Sequence, residues 1–189
     1  INVVWLKRDL RTSDHEALFE AEKSTLDYII VYLFEPKQMA HPDYSQRHQQ
    51  FIYHSILAMN ESLLSYNRKV HIFNSDAPDF FDYLATQYTI ETVLSYKESG
   101  TQISWNRDKK VAKRLKSLHI KWKEFDCQGV IRGSKNRVGW DKNWFVYASS
   151  SLINNFFKTN HFHVEASPFD FDVTDFPALA KYPSQYQPA

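Results

Sequence analysis

The sequence predicts an α/β fold: a three-layer, doubly wound, Rossmann-like domain built on a five-stranded parallel sheet in the order 3-2-1-4-5. Three observations predict it. Strand-like and helix-like runs alternate through about the first 160 residues. The strongest strand run, Tyr28 to Phe34 (YIIVYLF), is apolar throughout rather than alternating, which implies burial on both faces of a parallel sheet. A helical run lies between each pair of strand runs, and right-handed crossovers then favour helices on both sides of the sheet.

Ile1 to Leu6 reads as the first buried strand, broken only by Asn2. Ser13 with Glu16 makes a capping box for a short helix whose apolar face is Ala17, Leu18 and Ala21. Tyr28 to Phe34 is the second strand, ended by Glu35 and Pro36. From Arg47 to Tyr66, the positions of Ile52, Ile56, Met59 and Leu63 mark an amphipathic helix. Val70 to Phe73 is the third strand. Asp76 then caps a helix with Pro78 in its first turn and Asp79 facing its positive end. Phe80, Phe81, Leu84 and Tyr88 give that helix its packing face. Thr92 to Ser95 is the fourth strand, and residues 105–118 form a helix presenting Asp108, Val111, Leu115 and Leu118. Ile120 to Phe125 is the fifth strand. A last helix is expected over Asn143 to Phe157, carrying Trp144, Ala148, Leu152 and Phe156. From residue 161 the pattern dissolves into Ser, Asp and four prolines, so residues 1–160 are read as the domain and 161–189 as a linker that builds no core.

Composition narrows the function. Apolar residues at 43% and charged residues at 24% specify a folded chain rather than a disordered one. A formal charge of +1 argues against a whole-molecule nucleic-acid glove, although basic residues cluster over Lys109–Lys123 and Arg132–Lys142. Those clusters read either as solvated faces or as contacts to a polyanion or a second domain. Cys127 is the only cysteine, which excludes an internal disulfide and a Cys-based metal site. No run of about 18 apolar residues and no signal segment occurs, so no membrane partner and a cytoplasmic location are expected. The chain opens directly on a strand, from which an initiator methionine is expected to have been lost or to lie outside this sequence.

Ligands of open α/β sheets bind beyond the carboxyl ends of the strands, where strand order reverses. That point falls here between strands 1 and 4. The loop after strand 1, Lys7 to Asp14, is dense in charge; the loop after strand 4 carries Glu98; strand 2 delivers Glu35; the loop after strand 5 supplies Gln128 to Arg132. Lys7, Arg8, Glu35 and Glu98 are the candidate contacts to a planar polar ligand, with Asp9, Arg11 and Asp14 bracing the loop. Plainer readings stand beside these. Arg8 and Asp9 pair to order the loop, Glu98 is a solvated acid, and Arg107–Asp108 is a local ion pair at a helix start. With only 4 Gly, the chain has no G-x-G-x-x-G after strand 1 and no Walker A loop. Catalytic triad and zinc-protease motifs are also missing, and His161 with His163 lacks a third ligand. No catalytic residue and no metal ligand is assigned. The pattern suits a binder better than a catalyst.

The opening Val3-Val4-Trp5-Leu6-Lys7-Arg8-Asp9-Leu10-Arg11-Thr12-Ser13-Asp14-His15-Glu16-Ala17-Leu18 resembles the start of the photolyase/cryptochrome family, with R-D-L-R-x-x-D as its specific core. Tyr32 to Pro36, Ser45-Gln46-Arg47 with Phe51, and Arg107-Asp108 stand at family-like positions, so the resemblance extends over about residues 1–160. It departs at Gly129 to Trp140, where an aromatic T-P-F-type run is common in the family, and in a longer Glu98-Ser99-Gly100 loop.

The resemblance implies an N-terminal light-antenna domain of a deoxyribodipyrimidine photo-lyase-related flavoprotein acting in DNA repair. Such a domain can hold a reduced folate, a deazaflavin or a flavin. It also implies that FAD, the photochemistry and contact with damaged DNA belong to a C-terminal helical domain not contained in this sequence, so this fragment alone is not expected to be catalytic. The alternatives are a blue-light signalling domain of cryptochrome type, a docking module with no pigment, and a stand-alone nucleotide-binding or adenylating protein. The last would need a glycine-rich phosphate loop. The docking module predicts a switch-point cleft filled by bulky side chains.

Overall fold

The computed structural model describes residues 1–126, 129 and 136–181. Five strands, β1 (Asn2–Leu6), β2 (Tyr28–Phe34), β3 (Val70–Asn74), β4 (Thr92–Tyr96) and β5 (Lys121–Phe125), form one sheet in the order β3-β2-β1-β4-β5. Every pair within it is parallel, with Val4 opposite both Ile30 and Leu94. Fold class and strand order are therefore as the sequence predicts.

Alternate residues of the central strands feed two cores, as the two-residue period of a strand requires. Val4, Leu6, Ile30, Tyr32 and Phe34 face one layer, built from α1 (Glu16–Lys23) and α3 (Gln46–Leu63). Val3, Trp5, Ile29, Val31 and Leu33 face the other, where α4 (Ala77–Gln87) and α5 (Gln102–Ser117) pack. All of β1 and β2 is buried, which is why those strands read as unbroken apolar runs. A short helix, α2 (Pro36–Met39), follows β2 directly, and a 3₁₀ turn (Leu64–Tyr66) extends α3.

Two helix starts differ from the capping patterns. α1 begins at Glu16 and is capped by His15, whose Nδ1 accepts from Leu18 N at 3.2 Å, not by Ser13. Asp14, at φ 49°, redirects the chain just before the helix and so moves the cap past Ser13. Asp76 occupies the N-cap position of α4, but its carboxylate is taken by Lys37; the first free N–H of that helix, on Ala77, donates instead to Glu35 Oε2 at 3.1 Å.

The last third departs further. The helix expected over Asn143 to Phe157 is α6 (Trp140–Ala148), after which the chain is extended. The Ser149 and Ser150 hydroxyls donate back to the carbonyls of Phe145 and Tyr147, which ends the helix. The extended run then borders α1: Ile153 N donates to Asp14 Oδ1 at 3.0 Å, Asn155 brackets the His15 backbone, and Phe156 meets Phe19 edge-on. Leu152 and Phe156 thus share helical spacing without sharing a helix.

The expectation that residues beyond 161 build no core does not hold for the described part. Phe162, Val164 and Phe169 pack on the Trp5 side, while Phe171, Phe176 and the buried Leu179 pack on the Phe34 side. Asn74 N donates to Phe169 O at 2.8 Å and Phe171 N to Ile72 O at 3.1 Å, so this strap covers the outer edge of β3. Leu179 itself lies in a short turn of helix, α7 (Pro177–Ala180), against α3. An edge strand needs such cover, and the aromatics between the prolines give the strap apolar surface to bury. Replacing Leu179, which is 2% exposed, by alanine is expected to lower the unfolding free energy by about 2–3 kcal/mol in urea titration. A loss under about 0.5 kcal/mol, the scale of a neutral surface change, would show that the strap does not dock.

Candidate functional site

The sheet order reverses between β1 and β4, and a hollow of about 480 Å³ opens above the carboxyl ends of β1 and β2. Its floor is an ion-pair network centred on Arg107, in the second turn of α5. Arg107 Nη1 donates to Glu35 Oε1 at 2.7 Å, Nη2 to Glu98 Oε2 at 2.5 Å, and Nε to Asp108 Oδ1 at 3.0 Å. The guanidinium also lies 4.9 Å from the centroid of the Trp5 ring. Four segments of chain therefore converge on one side chain.

The four predicted site residues all border the hollow, in different states. Arg8 reaches across its mouth: Nε donates to Glu98 Oε1 at 2.8 Å, with the arginine side chain 65% exposed and the glutamate 5%. Glu98 is thus a buried acid held by two arginines, not a solvated one, and Arg8 pairs with it rather than with Asp9. Glu35 receives Arg107 and Gln38 on Oε1 and the α4 N–H on Oε2. Lys7 is the odd member. Its ammonium lies 3.4 Å from Asp108 and 3.6 Å from Glu124, and 4.5 Å from the Trp5 ring, in the foundation of the site. Gln128 and residues 130–132, expected to contribute from the loop after β5, lie outside the described residues.

Environment separates the two glutamates. Burial pushes Glu98 upward, but Arg107, Arg8 and Lys7 outweigh it and leave its carboxyl below the ordinary 4.5. Burial prevails at Glu35, which lies above that value despite Arg107. Burial works against the Arg107 charge, yet Glu35, Asp108 and Glu98 together hold its proton more firmly than usual. Lys7 is lowered, by burial first, against the pull of Asp108. Gly100 is needed beside this network: a Cβ there would collide with Ser104 Oγ and lie 2.8 Å from Glu98 Oε1.

The R-D-L-R-x-x-D loop braces itself. Asp9 Oδ2 is 2.8 Å from His15 Nε2, and Asp9 Oδ1 accepts from Lys7 N at 2.9 Å. His15 Nδ1 accepts from Leu18 N, so Nε2 carries the proton given to Asp9. Arg11 donates to the carbonyls of Ser13 and Asp14. Arg107 and His15 escaped the sequence reading as site-building residues; Arg107 stood out as half of a local pair and at a family-like position, and its distant partners lie nine and 72 residues away. The side wall was missed too. Tyr32 and Tyr44, hydrogen-bonded to each other, line the hollow with Phe51, Ile52 and Ser55 of α3. Ile52 was visible only as one of the apolar positions of α3.

Chemically, this is a polar floor of satisfied carboxylates under an apolar and phenolic wall. It can orient the polar edge of a flat organic molecule and shield its face. Among the described residues no group of three His, Cys, Asp or Glu side chains is placed to hold a metal ion, and no helix is long and apolar enough to cross a membrane.

The sequence profile of the DNA photolyase family matches residues 2–135. A cryptochrome DASH of Synechocystis is 28% identical over 128 residues, covering 65% of this chain and 26% of that protein. A deoxyribodipyrimidine photo-lyase of Buchnera aphidicola from Acyrthosiphon pisum is 24% identical over 133 residues, or 70% of this chain and 26% of that one. The chain therefore spans about a quarter of the length of the curated relatives it matches. Among solved structures, the archaeal photolyase of Sulfolobus tokodaii is similar at TM-score 0.71 and 18% identity, over 98% of this chain and 43% of that one. It was solved with two FAD molecules and described as implying a novel light-harvesting cofactor. A class III photolyase of Agrobacterium tumefaciens is similar at TM-score 0.69 and 18% identity, over 96% and 39% of the two chains. These structures share the fold.

Two outcomes test the network. Replacing Arg107 by methionine leaves three carboxylates without their common partner and is expected to cost about 3–5 kcal/mol of unfolding free energy; Glu35→Gln in the same chain should restore part of it. Glu98 and Asp9 are both held below their ordinary values of 4.5 and 3.8, so their stabilisation is complete above those values and is lost as pH falls through the lower folded ones. Burial pushes Asp9 up, and the bond from His15 overrides it. Urea midpoints measured from pH 6 downward should fall over that range, and Glu98→Gln should flatten the slope.

Proposed function

Because this chain belongs to the DNA photolyase family, whose profile spans residues 2–135, we propose that it is the light-antenna domain of a photolyase or cryptochrome and holds a planar pigment in the switch-point hollow. The observation that carries this reading is the hollow itself: about 480 Å³, a size suited to a drug-sized organic ligand. An unliganded docking module would need that volume filled by side chains. Arg8, Glu98 and Glu35 are the groups that would meet the polar edge of the pigment, and Leu10, Phe51, Ile52 and Ile103 its faces. Lys7 contributes from beneath by keeping Asp108 in place for Arg107. A pigment held there, whether flavin, deazaflavin or reduced folate, absorbs near-ultraviolet or blue light and passes excitation to FAD elsewhere in the whole protein.

The residues fit such a group. Arg107 ties both glutamates into one rigid frame, so binding costs little reorganisation, and Glu35, raised in pKa, suits a ring N–H or carbonyl better than a second cation. The two FAD molecules of the Sulfolobus tokodaii photolyase give precedent for a flavin among the three pigments. Repair of damaged DNA, in this reading, belongs to the whole protein; blue-light signalling by a cryptochrome is the alternative role for the same domain.

A partner is supported by α6. None of its nine residues is buried, and Phe145 and Val146 are 67% and 69% exposed. Trp140, Trp144 and Tyr147 are exposed as well, and an apolar patch of that kind is normally covered. The FAD-binding helical part of the protein docks there in this reading.

Titrating the 189-residue chain with FMN, a deazaflavin and a reduced folate should show at least one binding with a Kd on the order of micromolar, read by fluorescence. Ile52→Trp, which fills the hollow, should weaken it at least about tenfold. Failure of all three pigments to bind would sink the antenna reading.

A further inference from the structure

A second cavity, of about 430 Å³, lies at the opposite end of the sheet, between the start of β2, the turn that enters β3 and the strap over Asn160–Val164. We propose that this cavity binds a small phosphate monoester, its anionic group held by Lys69, His71 and His163.

The argument starts from what the lining residues already do. Asn60 spends its amide on the backbone of Val70, at 2.6 and 3.4 Å, and Asn160 bonds to Phe162. Arg68 is committed to Glu22 at 2.9 Å, to the carbonyl of Lys158 at 2.9 Å and to the face of Tyr28. These groups are frame. Lys69, His71 and His163 border the same cavity, and their side chains make no hydrogen bond or ion pair of their own among the described residues. No carboxylate lines the space. The result is a cavity with nitrogen donors to spare and no carboxylate in its lining, the reverse of the first hollow, where every charge has its partner.

The three groups share one field. Burial first, then Lys69 and His163, hold His71 down at about 4, against the opposite pull of Asp170. The titratable groups facing the His71 ring are therefore Lys69, His163 and Asp170, while Glu22 is paired with Arg68. A dianion entering this field finds one ammonium and two imidazoles able to donate, and its charge opposes the burial and the repulsion that together disfavour the charged form of His71. The volume exceeds what a bare phosphate fills and lies within the range of small-molecule sites. Ile29, Leu64, Phe162 and Val164 supply an apolar side for an organic body. A monoester has both parts.

The test uses the 189-residue chain with AMP, inorganic phosphate and adenosine as probes in calorimetry. AMP is expected to bind, and Lys69→Ala and His163→Ala, both at exposed positions, should each weaken it at least about tenfold, the scale of one charge-assisted hydrogen bond. Inorganic phosphate binding as well as AMP supports recognition of the anionic group; adenosine binding as well as AMP overturns it. Sulfate, a dianion throughout the range, separates charge recognition from ligand titration. Saturating sulfate should raise the His71 ring midpoint, followed by NMR, by at least about one unit, and by reciprocity sulfate should bind about fivefold tighter at pH 4 than at neutral pH, approaching about tenfold below it. An equal rise in sodium chloride of the same ionic strength, or unchanged binding in both variants, overturns the proposal.

Discussion

One guanidinium organises this end of the molecule. Arg107 bonds to carboxylates delivered by the end of β2, the loop after β4 and its own helix, and stacks over a tryptophan from β1. Burying such a set is costly unless every lone pair and proton is matched. Here the matching extends outward: Glu35 satisfies the first N–H of α4, and Glu98 holds Arg8 at the surface. The hollow is what remains when three loops are tied to one point and cannot collapse onto one another. Its shape follows from charge pairing, and its walls from α3 and the Tyr32–Tyr44 pair.

The sheet was legible because its physics is local. β1 and β2 are buried on both faces and read as continuous apolar runs; α3 and α4 are buried on one face and read with helical period. The loops that build the site were legible for a similar reason, since strand order alone locates the seam. What could not be read was which charges meet. Arg8 had a neighbouring aspartate and pairs instead with a glutamate 90 residues on. Asp9 turns inward to His15, a contact fixed by the left-handed turn at Asp14. Side-chain pairing at this range depends on loop geometry, which residue types do not encode one by one.

The last third misled for a different reason. Trp144, Ala148, Leu152 and Phe156 have perfect helical spacing, but the serines at 149 and 150 compete for the backbone, and the second half of the run is used in extended form. Prolines beyond residue 161 suggested a linker, whereas the aromatic residues between them cover both cores. A sequence poor in regular structure can still be rich in packing: Phe162, Val164 and Phe169 go to one core, and Phe171 and Phe176 to the other.

The strap on β3 has a consequence for the birth of the molecule. Asn74 and Phe169 are bonded in the finished fold, yet at about 5–20 residues per second their separate emergence from the ribosome is spaced by on the order of 5–20 s. During that interval the nascent sheet carries a bare outer margin and two unfinished cores. The order of translation therefore places closure of this flank after the five strands have emerged, and leaves the half-made sheet dependent on whatever shelters it until then.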